Sequence, residues 1–200
     1  MSSNDSGKHI LIINSAVPFL LSKGGLHQRF TEIATEYFQS HGCEVKITML
    51  KDEYKTEEEL AKIVWADIII VSTPAWCMSV PWHLKKYIDE VFSSGYGVLL
   101  KNDGRTRKDS SKKYGSGGLS QNKKYMIVST WNAPEESFTD PNQLFEGKGI
   151  DNVWIWLHKA FQFMGMQKVP SITFYDVVKD TQAEKYFTDY KSHLENNFKF

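Results

Sequence analysis

Three short segments, each following an apolar run, carry the residue types most suited to holding a ligand. The first contains Ser22, Gly24 and Gly25 immediately before an amphipathic stretch. Ser22 is predicted to cap a helix, and the exposed amides of a helix start with little side-chain bulk form a cradle for phosphate. The alternative is an ordinary capped helix with a flexible glycine pair. The sequence has neither GxGxxG nor a Walker lysine pattern, which disfavours a dinucleotide-type Rossmann site and a P-loop.

The second segment, Thr73 to Trp82, follows the apolar run that ends at Ser72. It places Trp76, Cys77 and Met78 between two prolines. This pattern predicts a stiff apolar ledge whose backbone groups could hydrogen-bond the polar edge of a flat ring. The alternative is a hydrophobic plug under a surface loop.

The third segment, Thr130 to Pro134, again combines an aromatic residue, Trp131, with an amide, Asn132, and a proline. The carboxyl ends of parallel strands meet at one edge of a sheet, so the second and third segments are predicted to face each other there. Together they would form a slot for a planar, partly polar ring system between Trp76 and Trp131. A flavin fits this description, because the cofactor carries the redox chemistry and the protein positions it.

Other catalytic patterns are missing from the sequence. It has no Ser/His/Asp ordering, no HExxH and no paired-carboxylate signature. His158 lies beside Trp154 and Trp156 in a helical pattern, which is typical of a packed helix face; a proton-transfer role is the alternative. Cys43 and Cys77 lie far from each other and from any histidine cluster, so neither a disulfide scaffold nor a metal site is predicted.

A long stretch between residues 95 and 122 is rich in Gly, Ser and Lys and poor in apolar side chains. Its basic residues outnumber Asp103 and Asp109. A loop of this length inside a domain is usually functional or disordered. It is interpreted either as a solvated basic loop or as a lid or partner-binding arm that attracts phosphate. Tyr114 is the aromatic residue among these charges, and without further aromatic interleaving nucleic-acid binding is disfavoured.

Short apolar runs alternate with longer amphipathic segments along the chain. Five strands are predicted, at His9–Asn14, Glu44–Leu50, Asp67–Ser72, Lys124–Thr130 and Ser171–Tyr175. Five helices are predicted, at Leu26–His41, Glu57–Trp65, Pro81–Phe92, Val153–Met164 and Gln182–Asn196. This alternation predicts a three-layer α/β sandwich, with a five-stranded parallel sheet of order 2-1-3-4-5 and helices on both faces. Such sheets bind ligands beyond their carboxyl ends, at the switch point between strands one and three.

Length and charge limit the remaining possibilities. The 200 residues are predicted to form one domain, 1–200, with a flexible polar tail at residues 1–8. Lys plus Arg and Asp plus Glu both number 24, so no nucleic-acid partner or anionic membrane surface is expected. The apolar runs are too short for membrane insertion and the start of the chain lacks a signal-peptide pattern, so a cytoplasmic location is expected.

Four stretches of the chain form a recognisable set: Trp65–Asp67, Pro81–Phe92, Asp103–Leu119 and Thr130–Pro134. In them the chain resembles the modulator of drug activity B family, which consists of NADPH:quinone reductases of the flavodoxin-like superfamily. The resemblance covers His9 to about Leu194. It implies a flavodoxin-like fold, bound FAD, NADPH as co-substrate, a homodimer, and two-electron reduction of quinones by a ping-pong mechanism.

The resemblance also implies roles for particular residues. The FAD phosphates and ribityl chain would be held by the segment from Ser22 to Arg29, which includes Gly24, Gly25, Leu26, His27 and Gln28. The flavin ring would be lined by Ala75, Trp76, Cys77, Met78, Thr130, Trp131, Asn132 and Ala133. Tyr114 would reach the substrate side, in one arrangement from a neighbouring subunit. The family has a second aromatic residue where this chain has Cys77, which bears on flavin packing and acceptor preference.

The residues alone favour a flavin without separating FAD from FMN. Two other functions fit the same pattern. One is an electron-carrier flavodoxin, although such carriers are usually strongly acidic and this chain has no net charge. The other is a flavin-free interaction module that docks through the basic stretch.

Overall fold

A parallel β-sheet forms the centre of the protein. The computed structural model describes residues 7–20 and 22–200. The strands are β1 (His9–Asn14), β2 (Glu44–Met49), β3 (Ile68–Pro74), β4 (Lys124–Thr130), β5 (Gln167–Lys168) and β6 (Ile172–Phe174). Their order is β2-β1-β3-β4, with β5 and β6 both pairing in parallel with β4. The predicted 2-1-3-4-5 order is therefore confirmed, and β2 forms one edge.

The fifth position of the sheet differs from the prediction. The sequence predicted one strand at Ser171–Tyr175, whereas the structure places two short strands on either side of Pro170. Proline has no amide hydrogen to donate to the ladder. The amide of Val169 still donates to the carbonyl of Tyr125 at 2.8 Å. Beyond the proline, the hydroxyl oxygen of Ser171 accepts from the amide of Ile127 at 3.3 Å.

Helices cover both faces of this sheet. They are α1 (Gly25–Ser40), α2 (Thr56–Trp65), α3 (Trp82–Ser94), α4 (Glu136–Thr139), α5 (Ile150–Val153), α6 (Ile155–Phe163) and α7 (Ala183–Asn197). Helices α1 and α7 bury Phe30 and Tyr190 against one face, while α2, α3 and α6 bury Ile63, Tyr87 and Leu157 against the other. The helix predicted at Val153–Met164 is interrupted at Trp154, and the four-residue helix α4 was not predicted.

The start of the described chain is held by the sheet. Of the flexible tail predicted at 1–8, residues 1–6 lie outside the described residues. The carbonyl of Lys8 accepts from the amide of Glu44 at 3.0 Å, so the ordered pairing begins one residue before β1. Within the described residues, no helix combines the length and apolar character needed to cross a membrane.

The stretch from residue 95 to 122 is here called the basic arm. It lies where the strands of the sheet begin, which is here called the amino edge. It leads from the end of α3 to Lys124, which pairs with Ile68, the first residue of β3. Gly118 lies so close to the chain at Met164 that an added Cβ would come within 2.5 Å of its carbonyl oxygen. The amide of Ser120 donates to that carbonyl at 2.9 Å. The arm is therefore built tightly onto the end of α6, on the opposite edge from the carboxyl ends of the strands.

Candidate functional site

A cavity of about 370 Å³ lies at the carboxyl edge of the sheet. It opens where α1 begins and where β3 and β4 end, next to the switch point between β1 and β3 that parallel α/β sheets use for ligands. Its volume is in the range of small-molecule sites. The residues that line it are Ala16, Ser22, Lys23, Gly24, Gly25, Leu26, His27, Pro74, Ala75, Trp76, Thr130, Asn132, Val177 and Val178.

Helix α1 begins at this cavity without a side-chain cap. Its N-cap residue is Gly24, with a left-handed φ of 75° that favours glycine. The prediction that Ser22 caps the helix is wrong, because no side chain bonds the N-terminus and Ser22 instead exchanges two backbone hydrogen bonds with Phe19. The first amides of a helix have no partner within the helix, so those of α1 are left for a ligand or solvent.

A buried asparagine fixes this helix start relative to the sheet. Asn14, the last residue of β1, donates from Nδ2 to the carbonyl of His27 at 3.0 Å and to the hydroxyl of Thr31 at 3.0 Å. Its Oδ1 accepts from the amide of Ala16 at 2.9 Å. The first turn of α1 is thereby tied to the carboxyl end of β1, and Asn14 carries out this positioning without lining the cavity.

The turn after β3 holds two non-glycine residues in the left-handed region. Cys77 has a φ of 44° and Met78 a φ of 66°. Trp76 and Ser79 flank them and exchange two backbone hydrogen bonds, of 2.6 and 2.9 Å. Positive φ at both central residues is the pattern of a type I′ hairpin turn, which normally takes Asn and Gly. The two strained residues therefore lie beside the cavity, and the turn that they form holds Trp76 in place as its apolar ledge.

The loop after β4 contributes polar groups, not a second aromatic wall. Thr130 and Asn132 line the cavity, but the Trp131 side chain is buried among Phe138, Phe145 and Trp154 on the other side. The predicted slot between Trp76 and Trp131 is therefore wrong in its second wall. Side chains alternate in direction at a strand end, so Thr130 and Trp131 cannot both face the ligand.

Asn132 is held by the loop that follows β6. Its Oδ1 accepts from the amides of Val178 and Lys179, each at 3.2 Å. The amide of Val177 donates to the carbonyl of Trp131 at 3.2 Å. With its oxygen occupied, Asn132 presents its Nδ2 group as the donor to a ligand.

His27 lies buried beneath the cavity floor. Its Nδ1 lies 2.8 Å from the hydroxyl oxygen of Ser72, and its Nε2 lies 2.8 Å from that of Thr130. Burial lowers the pKa of the His27 ring from 6.5 to about 3. The ring is therefore neutral near pH 7 and joins the ends of β3 and β4 from below.

The remaining residues predicted for the site lie outside the cavity lining. Gln28 and Arg29 turn away along α1, where both bond the carboxylate of Glu32. Cys77 is exposed, and 59% of the surface of Met78 is accessible at the tip of the turn. The further predicted residues away from this lining are Trp131, Ala133, Tyr114 and His158.

Tyr114 belongs to the basic arm at the opposite edge of the sheet. Its ring packs on Phe163 at 5.2 Å between centroids and lies under the guanidinium of Arg105. Its side chain is 68% exposed. Tyr114 therefore does not line the cavity of its own chain.

His158 is buried within a chain of polar groups that reaches the surface at Asp151. Its Nδ1 is 3.1 Å from the hydroxyl of Tyr125, and its Nε2 is 3.1 Å from Asp151 Oδ1, whose other oxygen pairs with Lys168. Burial lowers the pKa of His158 and raises that of Tyr125 to about 12. Both ring nitrogens of His158 already have hydrogen-bond partners within the protein, so its geometry is that of a residue in a structural network.

Sequence reasoning missed four residues of the lining: Ala16, Pro74, Val177 and Val178. Ala16 and Pro74 each lie two residues beyond the end of a predicted strand, and the rule that ligands bind beyond strand ends would have included them. The two valines follow the last strand in the same way. Across residues 7–20 and 22–200, no group of three or more His, Cys, Asp or Glu is placed to hold a metal ion.

Comparison with known proteins gives consistent results. The family described as flavodoxin-like fold matches residues 8–198. The chain is 41% identical over 190 residues to NADPH:quinone oxidoreductase MdaB of Haemophilus influenzae, covering 95% of this chain and 99% of that protein.

The fold is shared by many solved structures, including the following two. NAD(P)H:quinone oxidoreductase from Methanothermobacter marburgensis superimposes with a TM-score of 0.70 at 18% identity, over 97% of this chain and 100% of the other. General stress protein 14 from Treponema denticola, solved in complex with FMN, gives 0.66 at 16% identity, over 94% and 98%.

Proposed function

The chain belongs to the flavodoxin-like fold family and, within it, to the modulator of drug activity B family, and on this basis we propose that it is a flavin-dependent NAD(P)H:quinone oxidoreductase. The observation that carries the proposal is the convergence of the α1 start, the β3 turn and the β4 loop on one cavity. A bound flavin would supply the redox chemistry, because its ring accepts a hydride from one substrate and gives it to the next.

The start of α1 is suited to the flavin phosphate. Its first-turn amides have no side-chain cap, and the helix dipole favours negative charge there. Gly25 has no atom within 4 Å of where a Cβ would stand, so a phosphate can approach the backbone closely. Lys23 lines the same part of the cavity and adds a positive charge.

The other part of the cavity is suited to the flavin ring. Pro74, Ala75 and Trp76 offer an apolar wall, and Thr130 and Asn132 offer polar groups at its edge. The amide of Ala75 donates to the carbonyl of Thr130 at 2.9 Å, so wall and edge are held together. These residues bind and orient the ring and keep water from its buried side.

Nicotinamide nucleotide and quinone would then use the open side of the cavity in turn, which is a ping-pong mechanism. The nucleotide would give up a hydride and leave in its oxidised form, and the quinone would then take up a hydride together with one proton from solvent to become the quinol. We propose NADPH as the electron donor, because the Haemophilus relative is named for it. The exposed tip of the β3 turn at Cys77 and Met78 borders that open side.

We propose FAD as the flavin from the family membership, with FMN as the second candidate because the Treponema neighbour was solved with it. Ala133 and the Ser22–Arg29 backbone are kept as flavin contacts in this proposal, while the Gln28 and Arg29 side chains and the Trp131 ring are assigned to packing.

A cytoplasmic location belongs to the same proposal, and the exposed free thiol of Cys77 supports a reducing compartment.

We also include a homodimer in the proposal. Tyr114 lies on the arm at the amino edge of the sheet, whereas the cavity lies at the carboxyl edge, and its side chain is 68% exposed. A second copy would let Tyr114 of one protomer approach the cavity of the other. The site would then be completed by two chains.

Extraction of the cofactor and steady-state kinetics test this function. The purified protein is heated and the supernatant analysed for FAD and FMN; we expect one flavin per chain. NADPH and a soluble benzoquinone are then varied against each other, and parallel double-reciprocal lines are expected. Protein that binds neither flavin refutes the proposal, and bound flavin without quinone turnover indicates an electron carrier instead.

A further inference from the structure

The side chain of His27 bridges two hydroxyl groups directly beneath the cavity. Its ring nitrogens lie 2.8 Å from Ser72 Oγ and 2.8 Å from Thr130 Oγ1. All three residues are at most 3% exposed, and the His27 ring packs edge-on against Phe30 at 5.6 Å. Neither hydroxyl forms another hydrogen bond within the described part of the chain.

A neutral imidazole has one donating and one accepting nitrogen. Since burial lowers the pKa of His27 to about 3, the ring is neutral near pH 7. One of the two hydroxyls must therefore donate to the ring, and the other must accept from it.

The surroundings decide which hydroxyl donates. Ser72 is 1% exposed and does not line the cavity, so its hydroxyl hydrogen has the ring nitrogen as its only acceptor in the described residues. A buried hydroxyl hydrogen without an acceptor is costly. Ser72 therefore donates to Nδ1, which leaves the hydrogen of the ring on Nε2.

The consequence falls on Thr130, which does line the cavity. Its oxygen accepts from Nε2–H, so its own hydroxyl hydrogen is not used by the ring. We propose that His27 is a positioning residue which fixes the Thr130 hydroxyl as a hydrogen-bond donor into the cavity, toward an acceptor atom on the polar edge of the flavin. The identity of the ligand rests on the proposed function; the tautomer does not.

Nitrogen NMR of the flavin-free protein tests the tautomer directly. We expect His27 to show a protonated Nε2 and an unprotonated Nδ1, unchanged from pH 5 to pH 8. A protonated Nδ1, or a ring that titrates in this range, overturns the inference whatever ligand the protein binds.

Flavin affinity and reduction potential test the donor. Thr130→Val removes the hydroxyl with little change of shape, and about tenfold weaker flavin binding is expected, with Thr130→Ser restoring it. Thr173→Val is the matched control, because Thr173 lies in the neighbouring strand β6 and its hydroxyl bonds that of Ser129 at 2.7 Å outside this cavity. It should leave flavin affinity unchanged.

His27→Gln should weaken flavin binding and shift its potential in the same direction as Thr130→Val. If His27 acts through Thr130, the double variant binds flavin no more weakly than Thr130→Val alone. Additive losses overturn the positioning role. Wild-type protein that binds no flavin refutes the proposed function, whereas flavin binding that is insensitive to Thr130→Val refutes this inference alone.

Discussion

The ring of Phe19 lies 4.6 Å, centroid to centroid, from the ring of Trp76. The two residues belong to different tight turns, one after β1 that pairs Phe19 with Ser22 and one after β3 that pairs Trp76 with Ser79. Their contact joins the two turns into one rim beside the cavity. The flavin site proposed here thus has an aromatic wall made by Trp76 and supported by Phe19, while Trp131 supports the core.

Replacing the two tryptophans should separate binding from stability. Trp76→Ala is expected to weaken flavin binding at least tenfold, because the wall of the cavity is lost, and to change the free energy of unfolding by about 1 kcal/mol. Trp131→Ala leaves a hole among Phe138, Phe145 and Trp154 and is expected to cost about 3–5 kcal/mol. Urea unfolding of the flavin-free proteins and fluorescence titration with flavin measure both. Equal stability losses would contradict the placement of the two rings.

Glycine replacements test the phosphate cradle. Gly24 has a φ of 75° and Gly42 a φ of 78°, so an alanine at either position is placed in the left-handed region. Gly24→Ala and Gly42→Ala should therefore each lower the free energy of unfolding by about 1 kcal/mol. Gly42 follows the other end of α1, so only Gly24→Ala should also weaken flavin binding. Gly25→Ala meets no neighbouring atom and should not destabilise the fold, yet its methyl group would stand where a phosphate is proposed. Unchanged flavin affinity in Gly25→Ala would place the phosphate elsewhere.

The sequence predicted the sheet well because its central strands are buried on both faces. Strand β4 matches its predicted bounds, and so does β1, since continuous apolar runs bounded by polar residues leave little choice. The short strand β5 before Pro170 and the break of the predicted helix at Trp154 are features that the hydrophobic pattern did not show. The site was predicted at the right edge, but the direction of Trp131 and the bridge formed by His27 depend on tertiary contacts between distant segments.

Relieving the strained turn after β3 should stabilise the protein. Replacing Cys77 by Asn and Met78 by Gly gives the pair that a type I′ turn prefers, and a gain of about 1–2 kcal/mol is expected. For a chain of this size the melting temperature should rise by roughly 2–8 °C. Glu146→Gly, at another positive φ away from the cavity, is the control for a general gain. A loss of stability would show that the turn is not strained in the way its dihedral angles indicate.

Acid should destabilise the protein partly through His27. The unfolded chain binds a proton near pH 6.5, whereas the folded ring does so only near pH 3. Between these values the unfolded state holds more protons, so this contribution to stability is complete above pH 6.5 and is lost as the pH falls. Between pH 6 and pH 5, the free energy of unfolding of His27→Gln should therefore fall by about 1 kcal/mol less than that of wild type, as measured by urea unfolding. Parallel curves for the two proteins below pH 6 would contradict a buried neutral ring, and above pH 7 the curves should run parallel.

Mixing of variants tests whether Tyr114 completes the site of a second chain. Trp76→Ala should bind little flavin, and Tyr114→Ala should bind flavin but lack the substrate-side ring that the exposed arm carries. In a mixed dimer, the flavin of the Tyr114→Ala protomer meets an intact Tyr114 from its partner, so quinone reduction should exceed the sum of the two variants alone. The measurement is activity after the two proteins are unfolded, mixed and refolded together, with each refolded separately as control. If Tyr114 serves its own chain, the mixture cannot recover activity, because no protomer then has both residues.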